Sequence, residues 1–121
     1  MVSNFFIDEL APCYCLLCKL PSQRPIPLCR ACELELPSNQ HPCQVCALDL
    51  ASPDLICMDC QRQARSFTHC VAPWLYGKPI STFLKQFKFT ADMHVLPLLS
   101  HLLVNAVRQD IETHGAPDLV L

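Results

Sequence analysis

Glycine is nearly absent from this sequence, which has only Gly77 and Gly115 among its 121 residues. A loop that cradles a phosphate needs closely spaced glycines, because its backbone N–H groups must approach the anion. No such loop can be built from these residues. No pairing of a nucleophile with a base stands in its place, so we predict no catalytic residue in the chain.

Long apolar runs and a leader-like beginning are missing as well. No window approaches the roughly 20 apolar residues of a membrane-spanning helix. The first ten residues, MVSNFFIDEL, contain no basic side chain and too short an apolar run for a signal peptide. We therefore expect no membrane insertion, a cytoplasmic location and cysteines that stay reduced.

Acidic side chains are absent from one stretch, residues 61–90, although the whole chain carries a net charge of −2. Cations without neighbouring carboxylates suit contact with a phosphate backbone, such as that of single-stranded DNA. An ordinary solvated face is the alternative. The predicted nucleic-acid contacts are the five basic residues of this stretch, Arg62, Arg65, Lys78, Lys85 and Lys88.

Cysteine, in contrast, is abundant, and eight of the ten cysteines form four C-x2-C pairs. Adding 28 to each of the first four positions gives each of the last four, which indicates an internal duplication. The pairs are Cys15 and Cys18, Cys29 and Cys32, Cys43 and Cys46, and Cys57 and Cys60.

Two C-x2-C knuckles supply the four thiolates of a tetrahedral zinc site. The ten residues between the knuckles of each repeat indicate a small ribbon with a short hairpin. So short a segment buries little core, and structural zinc can contribute on the order of 10 kcal/mol instead. We predict a double zinc ribbon over residues 1–62, with repeats 15–32 and 43–60 and one zinc ion in each.

Several alternatives remain compatible with the cysteine pattern. The first knuckle could pair with the third and the second with the fourth, which would give a cross-braced module. Disulfides, redox pairs and an iron–sulfur cluster also use cysteines, although none of them explains four pairs in register as simply. Cys13 could replace Cys15 as a ligand, but it breaks the register. Cys70 is predicted to be a buried core thiol.

The second half of the chain predicts elements of an α/β domain. Residues 67–76 suit an edge strand interrupted by Pro73. Residues 80–87 place apolar side chains on one helical face. A longer helix is expected over residues 97–113, ended by Gly115, with an apolar face that includes Leu99, Leu102, Leu103, Ala106 and Val107. A second strand is expected to begin at residue 118. We read residues 63–121 as the incomplete start of an α/β domain, and the histidines as structural or surface residues.

Together these features resemble the N-terminal portion of the ComF/GntX family. The resemblance is carried by the duplicated knuckles and their order with three later segments, namely WLYG at residues 74–77, ISTFLKQFKF at 80–89 and PDLVL at 117–121. In that family a double zinc ribbon precedes a phosphoribosyltransferase-like domain, and some members serve in DNA uptake during natural competence.

The resemblance implies that the eight paired cysteines are zinc ligands. It implies DNA or a protein of the competence machinery as the partner. It also implies that Lys88 lies near a phosphate site, although Lys88 could equally be an ordinary surface lysine of a helix. The family's Arg-Gly-Phe-Asn-Gln segment and its Asp-Asp…Thr-Thr-Gly loop for phosphoribosyl pyrophosphate have no counterpart here. We therefore expect a truncated member, with that cofactor used only where the full family domain is present.

Overall fold

The structure, a computed structural model, describes residues 12–53 and 55–121. The short N-terminal helix expected around Phe5, Phe6 and Leu10 lies outside these residues. The described α-helices are α1 (Arg30–Leu34), α2 (Met58–Arg62), α3 (Ile80–Thr90) and α4 (Leu96–His114), and a 3₁₀ turn (Met93–Val95) precedes α4. Within the described ranges, β-pairing is limited to isolated bridges.

The two cysteine repeats fold in the same way, residue for residue. In the first, the N–H of Lys19 donates to the carbonyl of Cys15 over 2.9 Å, and in the second Ala47 donates to Cys43 over 3.0 Å. Lys19 and Ala47 both take positive φ values, 63° and 61°, to close these turns. Helices α1 and α2 are also offset by 28 residues. The duplication seen in the sequence is thus a duplication of structure.

The hairpin expected in each ribbon is reduced to one bridge. Tyr14 pairs with Pro21 in the first repeat, and Pro42 pairs with Asp49 in the second, again 28 residues later. Both bridges contain a proline, which has no N–H to extend a ladder. The ladder therefore ends at the bridge, and the ribbon is completed by backbone hydrogen bonds such as that from Leu16 to Pro27 and that from Gln44 to Leu55.

The chain divides into two compact units. The first contains the residues up to Leu36 together with Ser81–Leu102, and the second contains Pro37–Ile80 and Leu103–Leu121. In the first unit the most deeply buried side chains include Leu28 from the ribbon and Leu98 from α4. In the second the most deeply buried is Cys43, and Cys57 is buried as well; both are predicted ligands. The second unit thus has few buried side chains apart from its cysteines.

Helices α3 and α4 occur where the sequence predicts them, and the buried face of α4 overlaps the predicted one. Of the predicted face, Leu102 and Ala106 are buried, whereas Leu103 and Val107 are exposed. The side chain that joins Leu102 and Ala106 in the core is Leu98, four residues before Leu102. Gly115 ends the helix as expected, with φ of 87° and its N–H donating to Ile111. None of the helices in the described ranges is long and apolar enough to cross a membrane.

The strands expected in the second half do not form in the described residues. Residues 67–76 form no strand and make a single β-bridge, where Trp74 pairs with Ser38. Pro73 offers only its carbonyl, which accepts from Asn39, so the pairing stops there. Residues 118–121 are exposed and form no strand. The described part of the chain is a small helical module with two cysteine clusters, and an α/β domain is not formed within it.

Candidate metal centres

The first cysteine cluster lies where a knuckle turn meets the beginning of α1. Its four sulfurs, which lie within 4.8 Å of one another, are those of Cys15, Cys18, Cys29 and Cys32. The sulfurs of Cys18 and Cys29 are 3.8 Å apart. All four ligands come from one repeat, so the knuckles pair in sequence order and not in the crossed arrangement.

The second cluster repeats this arrangement in the second unit. Its sulfurs, again within 4.8 Å of one another, belong to Cys43, Cys46, Cys57 and Cys60. The Cys46 and Cys57 sulfurs are 3.6 Å apart. The backbone N–H of Cys57 donates to the Cys43 sulfur over 3.3 Å, and the Nε–H of Arg65 donates to the Cys60 sulfur over 3.5 Å. Two of the four sulfurs thus accept hydrogen bonds, one from the backbone of a cluster residue and one from Arg65.

Both clusters have the dimensions of a tetrahedral zinc site. Zinc–sulfur bonds of about 2.3 Å place the sulfurs of such a site about 3.8 Å apart. The two measured sulfur separations, 3.8 and 3.6 Å, agree with this edge length. Sulfurs joined as disulfides would be about 2.0 Å apart, and all ten cysteines are free. Bound zinc would supply a structural cross-link between the two knuckles of each repeat.

The electrostatics of the first cluster favour a cation. Burial raises the pKa of Cys15, but backbone N–H groups of Cys18 and Cys29 outweigh it and bring that pKa down to about 6. The Cys29 sulfur and burial together raise the pKa of Cys32 to about 12. The backbone therefore stabilises one thiolate, whereas the repulsion between neighbouring sulfurs disfavours a second. A divalent ion would offset this repulsion, because its positive charge stabilises the thiolates that bind it.

The second cluster shows the same division. Backbone N–H groups, that of Cys57 first and then that of Cys46, lower the pKa of Cys43 to about 6. The N–H of Leu48 acts to lower the pKa of Cys46, but burial and the neighbouring sulfurs raise it to about 12. The two repeats thus share their electrostatics as well as their backbone.

The two remaining cysteines lie outside both clusters. Cys13 is half-buried and is not among the grouped sulfurs. Cys70, predicted to be a buried core thiol, is exposed, and that prediction is wrong. The strand that was expected to place Cys70 in a core does not form.

All five predicted nucleic-acid contacts are exposed. Arg62 ends α2, and Arg65 and Lys78 follow it in the second unit. Lys85 and Lys88 lie in α3, in the part assigned to the first unit. Because these two lysines are three residues apart on one helix, they share a face. That face also carries Phe89, whose exposed fraction is 81%.

An ion network in the first unit was not expected from the sequence. Arg24 Nη1 lies 2.6 Å from Glu33 Oε2, and His101 Nε2 lies 2.9 Å from Glu33 Oε1. Arg24 also donates to the carbonyl of Leu28. Burial raises the pKa of Glu33, but the hydrogen bonds from Arg24 and His101 outweigh it, so the net pKa is lowered. The network joins the first repeat to α4.

Replacing Glu33 by Gln should lower the free energy of unfolding by about 1–2 kcal/mol, because a partly buried Arg24 loses its charged acceptor. The lowered pKa of Glu33 means that its contribution is complete above the unfolded value of about 4.3 and is lost only at lower pH. The deficit should therefore be present at neutral pH in urea unfolding of the zinc-loaded protein. Glu35→Gln, at an exposed position nearby, is the control; equal effects of the two substitutions would contradict the role of the network.

A third group of potential ligands was also missed. His69, Asp110 and His114 each offer one ligand atom, and these atoms lie within 4.8 Å of one another in the second unit. Two of the three residues could have been grouped from the sequence, because Asp110 and His114 are four residues apart on α4 and so share a face. Nothing in the sequence placed His69 beside them.

Comparison with protein-family models, with curated proteins and with solved structures finds no match for this chain. The resemblance to the ComF/GntX family therefore stays an expectation from the sequence, based on the cysteine register and the three segments.

Proposed function

We propose that this chain is a zinc-organised module that binds single-stranded DNA, corresponding to the N-terminal region of a ComF/GntX-like protein. The observation that carries the zinc part is the pair of four-cysteine clusters with tetrahedral spacing. In a family member that serves in natural competence, such a module would contact the incoming strand. Phosphoribosyl transfer is not proposed for these residues. The resemblance implies it only for family members that carry the Arg-Gly-Phe-Asn-Gln segment and the phosphoribosyl pyrophosphate loop.

The exposed face of α3 supports DNA as the ligand. Lys85, Lys88 and Phe89 occupy positions i, i+3 and i+4, and all three side chains are exposed. Proteins that bind single strands combine cations, which follow the phosphates, with aromatic rings on which the unpaired bases stack. A duplex keeps its bases stacked on each other and offers no base to Phe89. The face therefore fits a single strand better than a duplex.

The test measures binding of the zinc-loaded chain to a fluorescent oligothymidylate at several salt concentrations. Contacts from all five cations would give a slope of about −3.5 in log K against log salt, or about a hundredfold loss of affinity from 50 to 200 mM. Changing all five to Gln should remove the salt dependence. The zinc content of this variant must be checked, because Arg65 contacts Cys60.

Two smaller substitutions separate the charges from the ring. Lys85→Gln with Lys88→Gln should reduce the salt slope, whereas Arg30→Gln with Arg108→Gln, at exposed cations outside the basic stretch, should leave it unchanged. Phe89→Leu keeps an apolar side chain but loses stacking, so it should weaken binding about tenfold without altering the slope. A slope that responds equally to both lysine and arginine pairs would contradict a defined contact surface.

A protein-interaction module is the competing candidate, and one feature favours it. A cavity of about 470 Å³ beside the second cluster is lined by exposed apolar side chains, among them Leu48, Leu55 and Met58. If a partner protein is the ligand, oligothymidylate binding should be absent at 50 mM salt, and partner binding should change little with salt.

A further inference from the structure

The His69, Asp110 and His114 cluster has the donor set of a metal site. His69 Nε2 lies 2.9 Å from Asp110 Oδ1 and 3.1 Å from Oδ2, and His114 Nδ1 lies 2.8 Å from Oδ1. Two imidazole nitrogens therefore converge on one carboxylate. Imidazole and carboxylate ligands together bind zinc and other divalent transition metals.

The two imidazole rings pack against each other beside one carboxylate. They are stacked, with centroids 4.2 Å apart and planes 25° apart. Imidazole binds metals in its neutral form, and a divalent ion would balance the charge of Asp110. Burial raises the pKa of Asp110, but the hydrogen bonds from His114 and His69 outweigh it, so the net pKa is lowered.

The distances are close to those that a metal requires. Zinc bonds to nitrogen and oxygen of about 2.0–2.1 Å place tetrahedral ligands about 3.3 Å apart. The measured separations of 2.8–3.1 Å need to open by only a few tenths of an ångström. The side chains of His69 and His114 are 31% and 52% exposed, so both rings have room for this adjustment.

The surroundings leave one side of the cluster open. All three residues line a cavity of about 680 Å³ in the second unit, which is also lined by Gln40, His41 and other polar and apolar residues. Structural zinc sites are closed by four protein ligands, whereas three protein ligands and an open position characterise sites that accept water or a small ligand.

We propose that His69, Asp110 and His114 form a third metal site, which binds one divalent transition metal ion such as zinc through two imidazoles and a carboxylate. Its open position faces the cavity. The site is chemically distinct from the cysteine clusters, because it has no thiolate ligand. It does not depend on DNA binding, and it goes beyond the proposed function.

The test titrates cobalt(II) into tag-free protein whose two cysteine clusters already hold zinc. Titration over a short time, with zinc release monitored, keeps exchange at the clusters apart from new binding. We expect one further equivalent, with the weak visible bands of nitrogen and oxygen ligation and without the intense thiolate-to-cobalt bands. Asp110→Asn, which preserves size and shape, and His114→Ala should each abolish this equivalent while two zinc ions remain bound.

His94→Ala is the matched control, because His94 is an exposed histidine outside the cluster, and it should bind the third ion like the native chain. Absence of a third equivalent in the native chain would overturn the proposal. So would its persistence in both Asp110→Asn and His114→Ala. If these variants lower the melting temperature although the native chain binds no cobalt, the cluster is an ion pair only, and the metal site is refuted.

Discussion

Removing zinc with a chelator in reducing buffer is expected to unfold this protein. Structural zinc sites have apparent binding free energies of about 10–16 kcal/mol, whereas whole domains are stable by about 5–15 kcal/mol. In the second unit the buried side chains include Cys43 and Cys57, so the candidate metal site supplies part of the core. Without the ion, four cysteine side chains lie close together in each cluster, and those that ionise repel one another. This repulsion destabilises the folded cluster.

Near-ultraviolet circular dichroism and the dispersion of amide resonances would measure this loss. Signals from Trp74 and from the knuckle amides should collapse on chelation and return when zinc is added back. Magnesium should not restore them, because it prefers oxygen ligands. A reduced, metal-free chain that keeps dispersed resonances would show that packing alone maintains the fold, contrary to this expectation.

Replacing Cys57 by Ser should reduce the tightly bound zinc from two ions to one. The hydroxyl is a poor substitute for a thiolate, and the Cys57 sulfur is one of the four in the second cluster. The ligands of the other cluster all come from the first repeat, so that ion should remain. Native mass spectrometry after buffer exchange counts the retained ions, and amide exchange shows which residues lose protection.

Cys13→Ser and Cys70→Ser are the matched controls, since both thiols lie outside the clusters. Each should retain two zinc ions. Loss of both ions from Cys57→Ser would mean that the two sites fold as one cooperative unit, and retention of both would mean that Cys57 is not a ligand. A coloured species that contains iron would replace the zinc assignment altogether.

Several expectations from the sequence differed from the structure for one common reason. The apolar positions of α4 are numerous, and periodicity selected a face that is buried at Leu102 but also includes Leu103, which is exposed. Which flank of that face is buried depends on what packs against the helix, and the structure buries Leu98 instead. The predicted strand around Trp74 likewise had suitable residues, but it had a partner at Ser38 only.

The sequence by itself determined the two cysteine clusters, the helices α3 and α4 and the glycine that ends α4. These features are local, because knuckle ligands span 18 residues of one repeat and helical hydrogen bonds join near neighbours. Only the tertiary structure decided which distant side chains meet. His69 lies 41 residues from Asp110, and Arg24 lies 77 residues from His101. No local backbone rule connects such positions, so the third candidate metal site became visible only in the folded chain.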